Sequence, residues 1–131
     1  MTDDIILLAH GARNPRWAEP FYRLRDKVRA GYDSGRVELA FISLMVPSLI
    51  DVAEQLIARG SCSLLVSPLL LGAGSHATDE QALGLDELRT RHPAVSIRMM
   101  PVLGESEAVL DGMMEWVLGM SGINRPDGVS E

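Results

Sequence analysis

Apolar and polar positions along the chain follow two alternating rhythms. Four short, nearly continuous apolar runs have the length and residue types of buried strands: Ile5 to Ala9, Val37 to about Leu44, Ser63 to Leu71, and Val95 to about Val102. Between them the period changes to that of a helix. Trp17, Phe21, Leu24 and Val28 recur at i, i+4, i+7 and i+11, and the stripe ends near Gly31 and Gly35. Leu49, Val52, Ala53, Leu56 and Ile57 form a second stripe, opened by Pro47 and Ser48, with Asp51 placed as in a capping box, and stopped by Gly60. Thr78 and Gln81 predict another capped start, leading into Ala82, Leu85 and Leu88 and ending at His92-Pro93. A last helix follows Gly104 through Val109, Leu110, Met113, Met114, Trp116, Val117 and Met120. Pro68 is the one discordant residue, because a proline lacks a ladder donor and belongs at a strand edge or bulge.

Strand and helix alternate four times, which predicts an α/β fold: a three-layer sandwich with a four-stranded parallel sheet built from flavodoxin-like βα repeats. Right-handed crossovers place every strand's C-terminal end on one edge, the edge where open α/β sheets bind ligands. Four segments are expected there: His10 to Arg13, Ser43 to Pro47, Gly72 to Asp79, and Gly104 to Glu107.

Length and charge narrow the function. The 131 residues suit one domain over 1–120, with a polar, frayed tail over 121–131. No apolar run has the length of a membrane span. The acidic start Met1-Thr2-Asp3-Asp4 is unlike a signal peptide, and the single Cys62 cannot form an internal disulfide, so a cytoplasmic protein is expected. The net charge of −6 argues against a nucleic-acid partner. Yet six of the twelve basic residues (Arg13, Arg16, Arg23, Arg25, Lys27 and Arg29) crowd into residues 13–29. They read either as a solvated helix face or, at Arg13 and Arg16, as collectors of an anionic ligand.

His10 and His76 each stand beside glycine or in a glycine-containing turn just after a strand. A histidine pair at one sheet edge can hold a transition metal loosely, accept a proton, or do both. His92, before Pro93, reads as a surface residue. Gly72 and Gly74 are either helix-start glycines that let a ligand near the backbone or an ordinary turn. Asp79, Glu105 and Glu107 fall in first helical turns, where carboxylates are favoured without any site. Met45 lies where it could touch an apolar ligand, whereas Met99, Met100, Met113 and Met114 read as core filler. A P-loop, a nucleophile elbow, a Cys-x-x-Cys pair and a dinucleotide fingerprint are all missing, which leaves the histidine pair to carry the chemistry. The His-Gly-x-Arg run also matches the opening of histidine phosphatases, but their preceding arginine is Ala9 here.

Taken together, strand-His10-Gly11-x-Arg13, Pro47-Ser48-Leu49, Ser67-Pro68-Leu69-Leu70-Leu71 and Gly74-x-His76-x-x-Asp79 resemble the short CbiX-type sirohydrochlorin chelatases, over roughly residues 4–118. The resemblance implies a chelatase-like half-domain that inserts Co²⁺, Fe²⁺ or Ni²⁺, as substrate, into an anionic reduced tetrapyrrole serving sirohaem or cobalamin. It implies no organic cofactor. His10 and His76 correspond to the metal-handling histidines, and the chain is expected to pair as a homodimer around the tetrapyrrole. Imidazoles can remove the two pyrrole protons, and Arg13 and Arg16 can fork onto substrate carboxylates. Ser43, Met45, Gly72, Ala73, Gly74 and Ser75 are the remaining expected substrate contacts.

One departure matters. The family commonly has a glutamate at the end of its second strand, and Phe41-Ile42-Ser43-Leu44 puts a serine there. The Ile-Pro usual after Asp79 is Glu80-Gln81. Either Asp79 or Glu80 substitutes for the missing carboxylate, or the chain is a non-catalytic tetrapyrrole- or metal-binding relative.

Overall fold

The computed structural model describes residues 2–73 and 78–121. Its elements follow the predicted order: β1 (Asp4–Ala9), α1 (Glu19–Gly31), β2 (Val37–Phe41), α2 (Leu49–Ala58), β3 (Ser63–Pro68), α3 (Leu85–Arg91), β4 (Ser96–Met99) and α4 (Glu107–Ser121), with 3-10 turns at Pro15–Ala18 and Leu103–Glu105. All strand pairs are parallel, in the order β2-β1-β3-β4. The chain is therefore the α/β sheet that its alternation predicts.

The sheet buries both faces. On one, Ile6, Leu8, Ala40, Leu64, Val66 and Ile97 meet Leu49, Val52, Ala53 and Leu56 of α2 and Leu85 and Leu88 of α3. On the other, Leu7, Ala9, Val37, Leu39 and Phe41 meet Trp17, Phe21, Val28 and Tyr32 from the α1 side. Leu24, expected in that stripe, is 36% exposed and lies at the margin of the face that Phe21 and Val28 turn to the sheet.

Four boundaries differ from the sequence reading: β4, expected over Val95 to about Val102, covers Ser96–Met99, and the other three differ for local reasons. β2 stops at Phe41 because the following loop doubles back: Phe41 N–H donates to Pro47 O (2.9 Å) and Phe41 bridges Ser48. The third helix begins at Leu85, not near Thr78. Gly84 takes a left-handed φ of 81° that interrupts a helical path, and Asp79 caps the preceding turn, its Oδ1 accepting from Gln81 N and Ala82 N. β3 ends at Pro68, but ladder-like bonds continue beyond it: Leu69 N donates to Leu8 O, and Leu103 N and Gly104 N donate to Leu70 O and Leu71 O. Ser48 caps α2 as expected, its Oγ accepting from Asp51 N at 3.2 Å.

The largest difference is α4. Its apolar residues were expected to enter the core, yet Leu110, Met113, Met114, Trp116, Val117 and Met120 are all exposed, and none joins a buried cluster. Met113 and Met114 are thus not core filler. Met99 does pack against the core beneath α2 and α3, while Met100 is exposed. Residues 122–131 of the expected frayed tail lie outside the described residues.

Candidate functional site

Parallel pairing brings the ends of β1 and β2 together and sets two loops side by side. Ile42 N donates to Ala9 O at 2.9 Å and Ser43 N to His10 O at 3.0 Å, so position 43 lies next to the histidine along the sheet edge. Both residues are exposed there. Gly11 makes this contact possible. Its φ is 97°, and a Cβ built on it would stand 1.8 Å from Ser43 O. No side chain fits between the loops, so the glycine after the histidine fixes the distance from His10 to position 43.

The β2–α2 loop then turns outward. Leu44 holds a left-handed φ of 67°, a strained conformation for a leucine, and is 65% exposed, while Val46 is 83% exposed. With Ala12, Arg13, Pro15 and Met45 they line an open cavity of about 490 Å³. Met45 is half-buried, its other side packed into the α1-side core. Arg13 is exposed and, among the described residues, makes no ion pair. Arg16 is also exposed, but it sits in the 3-10 turn, where its N–H donates to Asn14 Oδ1, and it does not line the cavity.

The second half of the expected site is only partly described. Gly74, Ser75 and His76 lie outside the described residues. Gly72 and Ala73 are exposed at the end of β3, and a Cβ on Gly72 would meet nothing, so neither packing nor φ demands glycine there. Ala73 borders a cavity of about 300 Å³ with Thr78, Glu80, Met99, Met100, Val102 and Glu105. The two candidate replacement carboxylates both have structural partners. Asp79 caps the 79–84 turn. Glu80 pairs with Arg89 at 2.5 Å, and Arg89 also donates to Ile97 O, so the pair straps α3 to β4. Among the described residues no three His, Cys, Asp or Glu side chains converge as a metal cluster. Gly104 repeats the device of Gly11: a Cβ there would stand 2.1 Å from Leu71 O.

The opposite edge of the sheet carries a different polar cluster. Asp3 accepts from Arg98 and from Ser63 Oγ, and these bonds, Arg98's first, hold its carboxyl below the ordinary aspartate range. Asp4 pairs with Arg36 beside a hollow of about 480 Å³ that also includes Asp33 and Cys62. Cys62 is exposed, and His92 is half-buried and bonds Glu54 at 3.0 Å, so both lie in surroundings remote from His10.

A parallel sheet that sets a histidine, a tight glycine and an arginine on its C-terminal edge defines an open-sheet α/β protein, a class in which ligands commonly bind at the strand ends. The family model for CbiX matches residues 4–117, and the chain belongs to that family. It is 26% identical over 113 residues to a sirohydrochlorin cobaltochelatase of Sulfurisphaera tokodaii, covering 86% of this chain and 89% of that protein. A solved structure described as a cobalamin (vitamin B12) biosynthesis CbiX protein from Marinobacter aquaeolei VT8 superposes with a TM-score of 0.79 at 26% identity, covering 92% and 98% of the two chains. The sirohydrochlorin chelatase SirB from Bacillus subtilis subspecies spizizenii, solved in complex with cobalt, shares the fold with a TM-score of 0.78 at 22% identity. This chain aligns over 94% of its length but spans only about half of SirB, 51%.

Proposed function

We propose that this chain is a metal chelatase that inserts Co²⁺ or Fe²⁺ into sirohydrochlorin or a related reduced tetrapyrrole. The observation that carries the reading is the backbone bond from Ser43 N to His10 O at the C-terminal edge. It puts the histidine in the open, next to the position where the family commonly carries a carboxylate.

The chemistry follows from these groups. Insertion removes two pyrrole N–H protons and brings the metal in along the same path. His10 and His76 each accept one pyrrole proton and pass it to solvent, and the two imidazoles share the incoming ion. A donor set of two imidazoles releases a metal more readily than one rich in thiolate or carboxylate. Leu44 and Val46 offer apolar contact to the macrocycle, and Arg13 pairs with a rim carboxylate. Arg16, farther along the same strip, serves carboxylates at the periphery. Gly72 and Ala73, with Gly74 and Ser75, leave room for the macrocycle at the end of β3. The reading needs no organic cofactor, and the ion is a substrate.

Residues 1–120 act as one domain, and two copies enclose the tetrapyrrole, each supplying a site edge. The coverage of only half of SirB supports this pairing. No helix of the described residues is long and apolar enough to cross a membrane, in line with a cytoplasmic enzyme acting on a soluble substrate.

Ser43 favours one second reading, a relative that binds tetrapyrrole or metal without catalysing insertion, because Asp79 and Glu80 are both held in structural bonds. A single-turnover mixture of protein, metal-free sirohydrochlorin and Co²⁺, followed by absorbance, separates the two. Insertion faster than the protein-free reaction supports the chelatase. Tetrapyrrole binding with no acceleration supports the second reading.

A further inference from the structure

We infer that Arg23 and Lys27, on the outer face of α1, form an electrostatic track that draws the anionic tetrapyrrole toward Arg13 at the strand ends and raises the rate at which it binds, an inference that rests on the substrate proposed above.

Residues 13–29 hold six of the twelve basic residues but only Glu19 and Asp26 of the eighteen acidic ones. The structure divides the six. Arg25 pairs with Asp26 at 3.1 Å and lies over the Tyr22 ring, 4.9 Å from its centroid. Arg29 pairs with Glu38 at 3.2 Å and donates to Val37 O at 2.8 Å, which ties α1 to β2. Arg13, Arg16, Arg23 and Lys27 are exposed and, among the described residues, make no ion pair. Their charge is therefore turned to solvent, on a protein whose net charge is −6.

Helical spacing puts these cations in line. The 3-10 turn over Pro15–Ala18 runs directly into α1 at Glu19. Arg16, Pro20, Arg23 and Lys27 recur at i, i+4, i+7 and i+11, which is one stripe of a helix. It lies away from the stripe of Trp17, Phe21, Val28 and Tyr32 that meets the sheet. Glu19, one turn before Arg23, is the acidic neighbour beside it, so the stripe keeps a positive balance. From Arg16 to Lys27 it runs about 16 Å, at 1.5 Å per residue.

The stripe also has a direction. Its start adjoins the mouth, where Arg13 and Pro15 line the cavity with Leu44 and Val46. Its far end approaches the opposite edge of the sheet, where the Tyr32 hydroxyl donates to Asp3 O at 2.6 Å. Arg23 and Lys27 do not line the cavity, so they act on the approaching polyanion and not on the seated one. A row of cations on an otherwise acidic surface concentrates a substrate that carries several carboxylates, and such steering weakens as salt is added.

The test is stopped-flow mixing of the full chain with metal-free sirohydrochlorin, followed by tryptophan fluorescence. Association and dissociation rates are measured from about 0.01 M to about 1 M ionic strength, over which the screening length falls from roughly 30 Å to 3 Å. Arg23→Gln, Lys27→Gln and the double variant are compared with Arg59→Gln, which removes one exposed cation at the end of α2, off the track. The double variant should associate roughly three- to tenfold more slowly at low salt and match wild type at high salt. Its dissociation rate and single-turnover insertion should be unchanged, and Arg59→Gln should slow association less than either single track variant. An unchanged association rate in the double variant overturns the track, as does an equal fall with Arg59→Gln. A faster dissociation that accounts for the whole loss of affinity also overturns it, because the two side chains then hold the bound molecule. Normal binding kinetics without Co²⁺ insertion removes the chelatase reading and leaves the track standing, and a wild-type chain that does not bind sirohydrochlorin overturns both.

Discussion

At the scale of single residues, Gly11 and Leu44 show how backbone geometry builds the candidate site. Gly11→Ala forces a Cβ into Ser43 O and a side chain into a left-handed φ. It should cost at least ~1–3 kcal/mol in chemical denaturation and separate His10 from position 43, so insertion falls with stability. Leu44→Gly, by contrast, relieves a left-handed leucine. Its stability should hold or rise by about 1 kcal/mol, while apolar contact to the macrocycle is lost and KM rises. Restoring the carboxylate with Ser43→Glu should increase the insertion rate, because position 43 is exposed and adjoins the histidine through the backbone. An unchanged rate with normal folding would show that a carboxylate there has no part in the reaction. At the opposite edge, Asp3 has its folded pKa lowered, by Arg98 foremost. Its contribution to stability is therefore present above the unfolded carboxylate value of about 3.9 and is lost as pH falls through the lower folded value. Asp3→Asn should destabilise the protein at neutral pH in urea titrations, with the difference from wild type closing in acid below about pH 4.

At the scale of elements, periodicity identified what hydrophobic burial decides and missed what backbone and tertiary contacts decide. The strands β1 to β4 and the α2 stripe are legible because each buries a period-defined face. The cap at Ser48 is legible because it depends on a serine hydroxyl just before an apolar helical stripe, accepting from the backbone N–H three residues on. Ser48→Ala should cost about 1 kcal/mol of stability in thermal or urea unfolding. The end of β2 was not legible, since it depends on Phe41 N–H reaching Pro47 O across a loop. Nor was the late start of α3, which follows from the φ of Gly84, a value that a glycine permits but does not announce. Gly11 carried a signal of a kind: a glycine directly after a strand-ending histidine. The closeness of Ser43 could not be read, because it joins residues from two strands. Glu80 looked free in the sequence, and its strap to Arg89 appears only once α3 packs beside β4.

At the scale of the whole molecule, the fold sets a basic and apolar mouth into an acidic protein. Arg13, Leu44 and Val46 share one cavity at the strand ends, and the chain belongs to a family whose relatives include sirohydrochlorin cobaltochelatases. The same fold leaves the apolar residues of α4 exposed, outside the buried clusters of the sheet. The account's central claim is that His10, at the end of β1, takes part in moving the proton and the metal. The most direct test is the single-turnover rate of Co²⁺ insertion into sirohydrochlorin by wild-type protein and by His10→Ala, with tetrapyrrole binding measured for both. The account predicts that His10→Ala still binds the tetrapyrrole and inserts cobalt roughly 10²–10⁴-fold more slowly. Equal rates for the two proteins would contradict it.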